Sequence, residues 1–201
     1  MSEQLTTDKL HHIIGSLERI HKCEKKIIDS LNIYSIYNSK MINRYNNYDY
    51  SKFENSNVIF NNLKNYFELY EKNNKGKYGI IHGDPVFTNI LINQFGKIKL
   101  IDMRGKICDI CTIYGDTNYD WAKIYQSLIG YDEILENKYV SKDYKNKLVN
   151  QFEKYIIKNY NLEKLNDIKM ITKLLLFTLI PLHNNEKCEN YYKLINKIKV
   201  N

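Results

Sequence analysis

Apolar residues recur with the period of an α-helix at both ends of this chain, and this repeat constrains its fold more than any other feature. Between Leu10 and Ile20 they stand at i, i+3, i+4, i+7 and i+10, in a helix that starts near Thr7 behind a threonine cap. A second amphipathic helix is predicted over about residues 52–73, after a polar, tyrosine-rich stretch over residues 34–50. The helical period returns after residue 116 and continues through about four more helices.

The middle of the chain has the shorter period of β-strands. An apolar run over residues 78–82 follows Gly76, and two further runs, over residues 89–93 and 97–102, flank the turn Gln94-Phe95-Gly96. Two apolar runs joined by a short turn with glycine predict a β-hairpin. Helices on both sides of one small hairpin predict a single domain over residues 1–201, of the α+β class and mostly helical.

Length and composition exclude several classes of protein. With 201 residues, 43% of them hydrophobic, the chain is large enough to bury a core and too apolar to be disordered. Its longest apolar run, over residues 174–180, is far shorter than the roughly 18 residues of a membrane span. The first residues lack the basic and apolar regions of a signal peptide. We therefore expect no membrane span and a cytoplasmic location.

The cysteines indicate a reducing compartment, because four of them in 201 residues do not make a disulfide framework. Cys108 and Cys111 form a lone C-x-x-C pair, which lacks the second half of a zinc site and the sequence context of a redox motif. We expect this pair to lie in a loop just past Asp102, with no metal or redox role.

The chain is basic, with 30 lysines and arginines against 23 acidic residues and a net charge of +7. Nearly all of this positive charge is lysine, in a chain with one alanine and two prolines, which is typical of an A/T-rich coding sequence. The segment over residues 138–160 interleaves lysine and tyrosine, yet Leu148, Phe152, Tyr155 and Ile156 recur in it at helical spacing. It predicts a core-facing stripe with a solvated lysine face, so a nucleic-acid partner is not expected.

The residues best suited to chemistry lie at the open end of the predicted hairpin. The sequence HGDPVFTN, from His82 to Asn89, leads into the hairpin, and Asp102 ends its second strand. This spacing brings oxygen atoms of Asp84, Asn89 and Asp102 together. Such oxygens are ligands of a hard cation such as Mg²⁺, and a carboxylate beside it can orient a hydroxyl and accept its proton. Taken singly, the same residues fit simpler roles as turn formers and a strand-end cap.

The pattern HGDxxxxN, followed by a strand that ends in IDxR, resembles the catalytic loop and metal-binding segment of the aminoglycoside phosphotransferase/choline kinase-like superfamily, relatives of the protein kinases. The resemblance implies the C-terminal lobe of a protein kinase-like fold, with a small catalytic hairpin. It implies that Asp84 is the catalytic base and that Asn89 and Asp102 bind Mg²⁺, and with it ATP or another nucleoside triphosphate. Arg104 is implied to help bind the acceptor or a phosphate, and His82 to pack and hold the loop.

A second segment, in the same order along the chain, adds to the resemblance. Residues 115–123, GDTNYDWAK, are similar to the GDxxxDLA helix start of that superfamily, with Trp121 where leucine is usual. The resemblance implies that Asp120 braces the catalytic loop through backbone N–H groups. Asp116 has the position of a helix N-cap. Gly83 is expected to support the loop between His82 and Asp84.

The resemblance covers the large lobe alone, starting near Leu10. The chain has no G-x-G-x-x-G, and the segments ahead of residue 78 have the period of helices, whereas a kinase small lobe needs a Gly-rich loop and a strand lysine. We expect the N-terminal lobe to be absent. Three explanations stay open: the chain is a fragment of a longer polypeptide, it pairs with a separate small lobe, or it binds without catalysing.

The implied activity is ATP-dependent phosphorylation of a hydroxyl on a small molecule. The segments 99–105 and 114–134 are most similar to a subgroup linked to surface-glycan biosynthesis, sometimes found beside sugar nucleotidyltransferase domains. Sugars, amino-alcohols or aminoglycoside-like compounds are then the implied acceptors, and a nucleotidyltransferase domain is an implied partner. The alternative is a non-catalytic kinase-like module that binds or scaffolds another protein.

Overall fold

The computed structural model describes residues 3–24, 26–28, 31–183 and 186–200, and within them it contains eight α-helices and six short strands. The helices are α1 (Thr7–His21), α2 (Asn38–Asn46), α3 (Ser56–Lys72), α4 (Thr117–Leu128), α5 (Tyr131–Glu136), α6 (Lys142–Asn159), α7 (Leu162–His183) and α8 (Lys187–Lys197). The strands are β1 (Tyr78–Ile80), β2 (Ile90–Ile92), β3 (Ile98–Leu100), β4 (Lys106–Ile107), β5 (Ile110–Cys111) and β6 (Tyr114–Asp116). The prediction of a mostly helical α+β fold is confirmed.

Helices α1 and α3 form where the hydrophobic period predicts them. The Thr6 hydroxyl accepts a hydrogen bond from the Lys9 N–H at 3.2 Å and so caps α1. The apolar face of α1 is buried through Leu10, Ile13, Ile14 and Leu17. Helix α3 begins at Ser56, later than predicted, because Asn55 has a left-handed backbone (φ 57°) that an α-helix cannot contain.

Two helices were not predicted from the sequence. Helix α2 lies inside the stretch 34–50, and only Met41 of its residues is buried, so it lacks an apolar stripe. It is held by distant parts of the chain: Arg44 donates to the Thr178 carbonyl of α7 at 2.6 Å. Helix α5 is a short segment that follows Gly130, whose backbone is left-handed. With α5, the described residues after 116 form five helices, where about four were predicted.

The strands form three antiparallel pairs, β1 with β6, β2 with β3 and β4 with β5. The β2–β3 pair is the predicted hairpin, with Ile90 opposite Leu100 and Ile92 opposite Ile98. Asp102 was expected to be the last residue of the second strand, and this is wrong. Strand β3 ends at Leu100, and Asp102 has a left-handed backbone (φ 57°), which aspartate tolerates better than most residues and which ends the extended conformation.

The pairing of β1 with β6 determines where the chemistry-bearing loop lies. It sets Gly79 opposite Gly115, where a Cβ would lie 2.4 Å from the Ile81 Cδ1, so any other residue at 115 would displace the Ile81 side chain. The loop of residues 82–89, here called the HGD loop, follows β1, and α4 follows β6. The pairing therefore places the HGD loop beside the start of α4.

The C-x-x-C pair lies in a small hairpin and not in a loop. Strands β4 and β5 pair through Ile107 and Ile110, and Cys108 stands at the turn with a positive φ of 48°. The thiols of Cys108 and Cys111 are free and both residues are exposed. The turn residues are Cys108 and Asp109, and cysteine at the left-handed position is not typical of a turn, although aspartate is.

Helix α7 lies at the centre of the core, where it packs against α2, α4, α6 and α8. The apolar run over residues 174–180 belongs to α7 and is buried except for the half-buried Leu179. Helix α6 buries Leu148, Phe152 and Ile156, so the lysine-rich segment has a core-facing stripe. In the described ranges no helix is long and apolar enough to cross a membrane.

Asp116 joins several elements in the interior. It is fully buried, and it caps α4 by accepting a hydrogen bond from the Asn118 N–H at 2.9 Å. The same oxygen accepts from the Lys77 N–H, also at 2.9 Å. Its other oxygen accepts from the hydroxyls of Tyr37 and Tyr70, both at 2.7 Å. Burial, followed by the charge of Asp116, raises the pKa of both tyrosines, so each hydroxyl stays a donor. One carboxylate thus ties α4 to α3, to the start of β1 and to the segment before α2.

We expect Asp116→Asn to lower the free energy of unfolding by about 3 kcal/mol. The carboxylate accepts two hydrogen bonds at each oxygen, so an amide NH₂ would either face the two backbone N–H donors or deprive the Tyr37 and Tyr70 hydroxyls of their acceptor. Urea unfolding followed by circular dichroism measures the loss. The matched control is Asp143→Asn, at an exposed position in the first turn of α6, and it should cost less than about 1 kcal/mol. Equal losses in the two variants would contradict this role of Asp116.

Candidate active site

The HGD loop is anchored by a carboxylate of α4. Asp120 is fully buried, and its two oxygens accept hydrogen bonds from the backbone N–H groups of His82 and Gly83, each at 2.8 Å. The Nε2 atom of His21, at the end of α1, lies 3.0 Å from the same carboxylate. The backbone contacts are those that the resemblance implies for Asp120, whereas His21 is a partner that the sequence did not indicate.

Gly83 and His82 shape the loop. Gly83 has a φ of 82°, and a Cβ there would lie 2.7 Å from the Cβ of Arg104, so conformation and space both require glycine. The His82 carbonyl accepts from the Arg104 N–H at 2.9 Å, and its Nδ1 accepts from the Asp84 N–H at 3.3 Å. His82 is 1% exposed and its Nε2 has no hydrogen-bond partner in the described part of the chain. It therefore packs within the loop.

Asp84 lies between the HGD loop and α4. Its Oδ1 is buried, 3.0 Å from the Nζ of Lys123. The side chain is nevertheless 40% exposed, so the exposed part includes the second oxygen, Oδ2. Although burial disfavours the charged ammonium, Tyr119 and Asp84 hold the pKa of Lys123 above its usual value, so the ion pair persists at neutral pH. Asp84 thus has one oxygen held by an ion pair and one available to a hydroxyl.

Asn89 and Asp102 lie at the open end of the hairpin. The Ile101 N–H donates to the Asn89 carbonyl at 3.0 Å, so Asn89 lies beside the residue that precedes Asp102. The Asn89 Nδ2 donates to the Asp84 carbonyl at 2.9 Å, which leaves its Oδ1 as an acceptor. Among the described residues, neither this Oδ1 nor the exposed Asp102 carboxylate has a hydrogen-bond or ion-pair partner. Two such oxygens fit a hard cation that takes its other ligands from water and phosphate.

A cavity of about 470 Å³ opens beside Asp84, a volume suited to a small molecule. The HGD loop and the residues after β3 form one side, and α2, α4 and the end of α7 form the others. Its charged lining residues are Lys40, Arg44, Asp84, Asp102, Arg104 and Lys123. The structure thus brings three predicted site residues, Asp84, Asp102 and Arg104, to one cavity. Asn89 lies outside the lining, bonded to the Asp84 carbonyl.

Arg104 lies against a rigid aromatic residue. Its terminal nitrogen donates to the Tyr119 hydroxyl at 2.7 Å, and the guanidinium carbon lies 5.6 Å from the centre of the Tyr119 ring. Tyr119 is 2% exposed, so its position is set by the core. The other guanidinium N–H groups make no side-chain hydrogen bond within the described residues, which leaves them available to an anion.

Lys40 and Arg44 stand one turn apart on α2 and both line the cavity. Arg44 is held by the Thr178 carbonyl, whereas Lys40 has no hydrogen-bond or ion-pair partner among the described residues. Burial, together with repulsion from neighbouring cations, chiefly Arg104, lowers the pKa of Lys40 from 10.5 to about 7. The lining of the cavity therefore has more basic than acidic residues, and its cations repel one another.

Sequence reasoning missed several residues of this site. Tyr119 and Lys123 lie within one turn of Asp120 on α4, so the helical period of the recognised segment could have indicated them. Lys40 and Arg44 lie in the stretch where no helix was predicted. Their i, i+4 spacing could have placed both side chains on one face, but only if the segment were already known to be a helix.

The charge of Lys40 should reduce stability most at low pH. With a pKa of about 7 in the folded chain and an ordinary value of 10.5, charging it costs the folded state in full below pH 7. The cost falls as the pH rises towards 10.5. Lys40→Met should therefore be more stable than the wild type at about pH 6, by a margin that shrinks towards about pH 9.5.

Urea unfolding of both proteins across this pH range measures the margin. The matched control is Lys147→Met, at an exposed position of α6, whose difference from the wild type should not vary with pH. A margin for Lys40→Met that stays constant with pH would show that its ammonium is not destabilised in the folded chain.

Comparison with known proteins leaves the family of the chain open. No protein-family model matches it, no curated protein matches it, and no solved structure matches it. The roles of Asp84, Asn89, Asp102, Arg104 and Asp120 therefore depend on the contacts described above.

Proposed function

We propose that this chain is the large lobe of a kinase-like phosphotransferase, which transfers a phosphoryl group from Mg²⁺-bound ATP, or another nucleoside triphosphate, to a hydroxyl of a small molecule. The observation that carries the proposal is the grouping of Asp84, Asn89 and Asp102 at one end of the β2–β3 hairpin, beside a cavity of suitable size. The anchoring of the HGD loop by Asp120 agrees with it, because phosphoryl transfer depends on positioning.

Asp84 orients the acceptor hydroxyl and takes up its proton. Lys123 holds the Oδ1 atom of Asp84 at 3.0 Å, so the more exposed Oδ2 accepts the hydrogen bond from the hydroxyl. As the new O–P bond forms, the hydroxyl proton passes to this oxygen, and the electron pair of the broken bond stays with the leaving nucleoside diphosphate. The ion pair keeps the carboxylate aimed at the same point throughout.

Asn89 and Asp102 would hold Mg²⁺ through the amide Oδ1 and the carboxylate. When bound, the cation neutralises phosphate charge and aligns the group to be transferred. The part of the chain that the structure describes has no group of three or more His, Cys, Asp or Glu side chains that could hold a metal ion. Water and phosphate oxygens would therefore complete the ligand set. Arg104 binds a phosphate or the acceptor from the cavity side.

The nucleoside part of the donor needs a second binding element. Ahead of β1, the described residues form α1, α2 and α3 and no strand, whereas a kinase-like small lobe covers the phosphates with a Gly-rich loop. A separate small lobe, or an adjoining part of a longer polypeptide, provides this element in the proposed assembly. Small hydroxyl compounds of surface-glycan biosynthesis are the proposed acceptors, with a sugar nucleotidyltransferase domain as a partner and the cytoplasm as the compartment.

Asp84→Asn should reduce phosphoryl transfer by about 10²–10⁴-fold, because the amide cannot take up the hydroxyl proton. ADP release from Mg²⁺-bound ATP, measured with a panel of polyols, sugars, amino-alcohols and sugar phosphates, reports the transfer. The matched control is Asp109→Asn, at an exposed carboxylate of the β4–β5 turn, which should keep the wild-type rate. Full activity of Asp84→Asn, under conditions in which the wild type turns over, would remove Asp84 from this role.

The second candidate is a non-catalytic kinase-like module that binds a partner protein. It is favoured by the helical arrangement ahead of β1 in the described ranges, which offers no Gly-rich loop to a nucleotide. Calorimetric titration of the chain with ATP, with and without Mg²⁺, separates the two candidates. Mg²⁺-dependent binding supports the enzyme, and its absence, even with a candidate small lobe present, supports the module.

A further inference from the structure

Two of the three arginines of the chain line the cavity beside Asp84. These are Arg44 and Arg104, whereas the third, Arg19, lies on α1 away from the cavity. Composition does not explain this concentration, because nearly all the positive charge of the chain is lysine. A guanidinium presents a planar fork of donors that matches the oxygens of phosphate and carboxylate groups. The arginines therefore indicate an anionic ligand in this cavity.

The charges of the cavity are not balanced by its own carboxylates. Asp84 pairs with Lys123 at 3.0 Å, and Asp102 belongs to the proposed metal site. Three cations remain, here called the cationic wall, and none forms an ion pair with a described residue: Lys40, Arg44 and Arg104. Arg44 donates to a backbone carbonyl and Arg104 to a tyrosine hydroxyl, whereas Lys40 has no hydrogen-bond partner among the described residues.

The cationic wall lies where an acceptor would lie. The strands of the β2–β3 hairpin and Asn89 contribute no lining residue, so the cavity extends from Asp84 towards α2 and α7 and not along the hairpin. Asp84 and Asp102 both line this cavity, so the proposed metal site adjoins the place of the acceptor. A molecule bound in the cavity can present a hydroxyl to Asp84 and another group to α2.

We infer that the acceptor carries an anionic group of the phosphate monoester class, which the cationic wall binds while Asp84 receives the hydroxyl. This inference depends on the proposed phosphotransferase function and names its substrate class. A dianionic phosphate offsets more of the positive charge of this wall than a carboxylate does, and it favours the charged form of Lys40. Cationic amino-alcohols and aminoglycosides, which the resemblance implies as acceptors, are repelled by the same wall. The product of transfer is then a compound with two phosphate groups.

The repulsion among the cations of the cavity agrees with this inference. Burial, and after it repulsion from the cationic neighbours, lowers the pKa of Lys40, whose ammonium has no hydrogen-bond or ion-pair partner among the described residues. Clustered like charges reduce the stability of the folded chain and are retained in binding sites at that cost. A bound phosphate removes the repulsion.

Calorimetric titration of the full chain without nucleotide tests the inference, with three probes of one carbon skeleton: glycerol 3-phosphate, glycerate and glycerol. Glycerol 3-phosphate should bind at least about tenfold more tightly than glycerate, and glycerol more weakly than both. Lys40→Gln and Arg44→Gln should each weaken glycerol 3-phosphate about tenfold. Lys147→Gln, at an exposed position of α6, should leave its affinity unchanged. Equal affinity for glycerol and glycerol 3-phosphate, or unchanged affinity in both cavity variants, would overturn the inference.

Titration of the same variants with Mg²⁺-bound ATP separates the acceptor from the nucleotide. Retained ATP affinity supports the inference, whereas equal weakening of ATP and glycerol 3-phosphate assigns the wall to the nucleotide and overturns it. Failure of the two proposals can also be told apart. Binding of glycerol 3-phosphate through Lys40 and Arg44, with no transfer to any acceptor, supports the anion site and overturns the phosphotransferase. Transfer to neutral polyols but not to sugar phosphates supports the phosphotransferase and overturns the anionic acceptor.

Discussion

Two buried carboxylates at the start of α4 hold the rest of the site in place. Asp116 and Asp120 stand one turn apart, and both are fully buried. Asp116 accepts four hydrogen bonds from the surrounding elements, and Asp120 accepts two from backbone N–H groups of the HGD loop. A buried carboxylate is stable only where donors replace its lost water, so each of them specifies its partners. Asp120 thereby fixes the HGD loop to α4, and α4 is itself held in place by its packing in the core.

The same helix carries the side chains that shape the cavity. Tyr119 supports Arg104 through its hydroxyl, and Lys123 pairs with Asp84. Successive helix positions point about 100° apart, so neighbouring residues of one short segment reach the core, the cavity and the loop separately. The HGD loop and the positions of Arg104 and Lys123 therefore depend on α4, whereas Lys40 and Arg44 are placed by α2. Strands of only two or three residues are sufficient here, because α4 and its buried carboxylates fix the position of the HGD loop.

The sequence predicted the elements that depend on neighbouring residues, and it did not predict those that depend on contacts between residues far apart in the chain. Helix α1 and the β2–β3 hairpin follow from periodicity, caps and turn residues that are neighbours in the chain. Helix α2 was missed because its support comes from contacts such as that of Arg44 with Thr178, which no local pattern encodes. Lys40 was missed with it. The conformation of Asp102 depends on where strand pairing stops, which residue types alone do not specify.

Asn89 and Asp102 are proposed to hold a divalent cation, together with nucleotide phosphate, next to Asp84. Mn²⁺ binds the same oxygen ligands as Mg²⁺, and its unpaired electrons broaden the NMR signals of nearby nuclei. A small amount of Mn²⁺, added with ATP to the ¹⁵N-labelled chain, should broaden the amide signals of Gly83, Asn89 and Asp102 first and leave those of α8 sharp. Broadening spread over exposed acidic residues elsewhere, with the HGD loop unaffected, would contradict the proposed metal and nucleotide site.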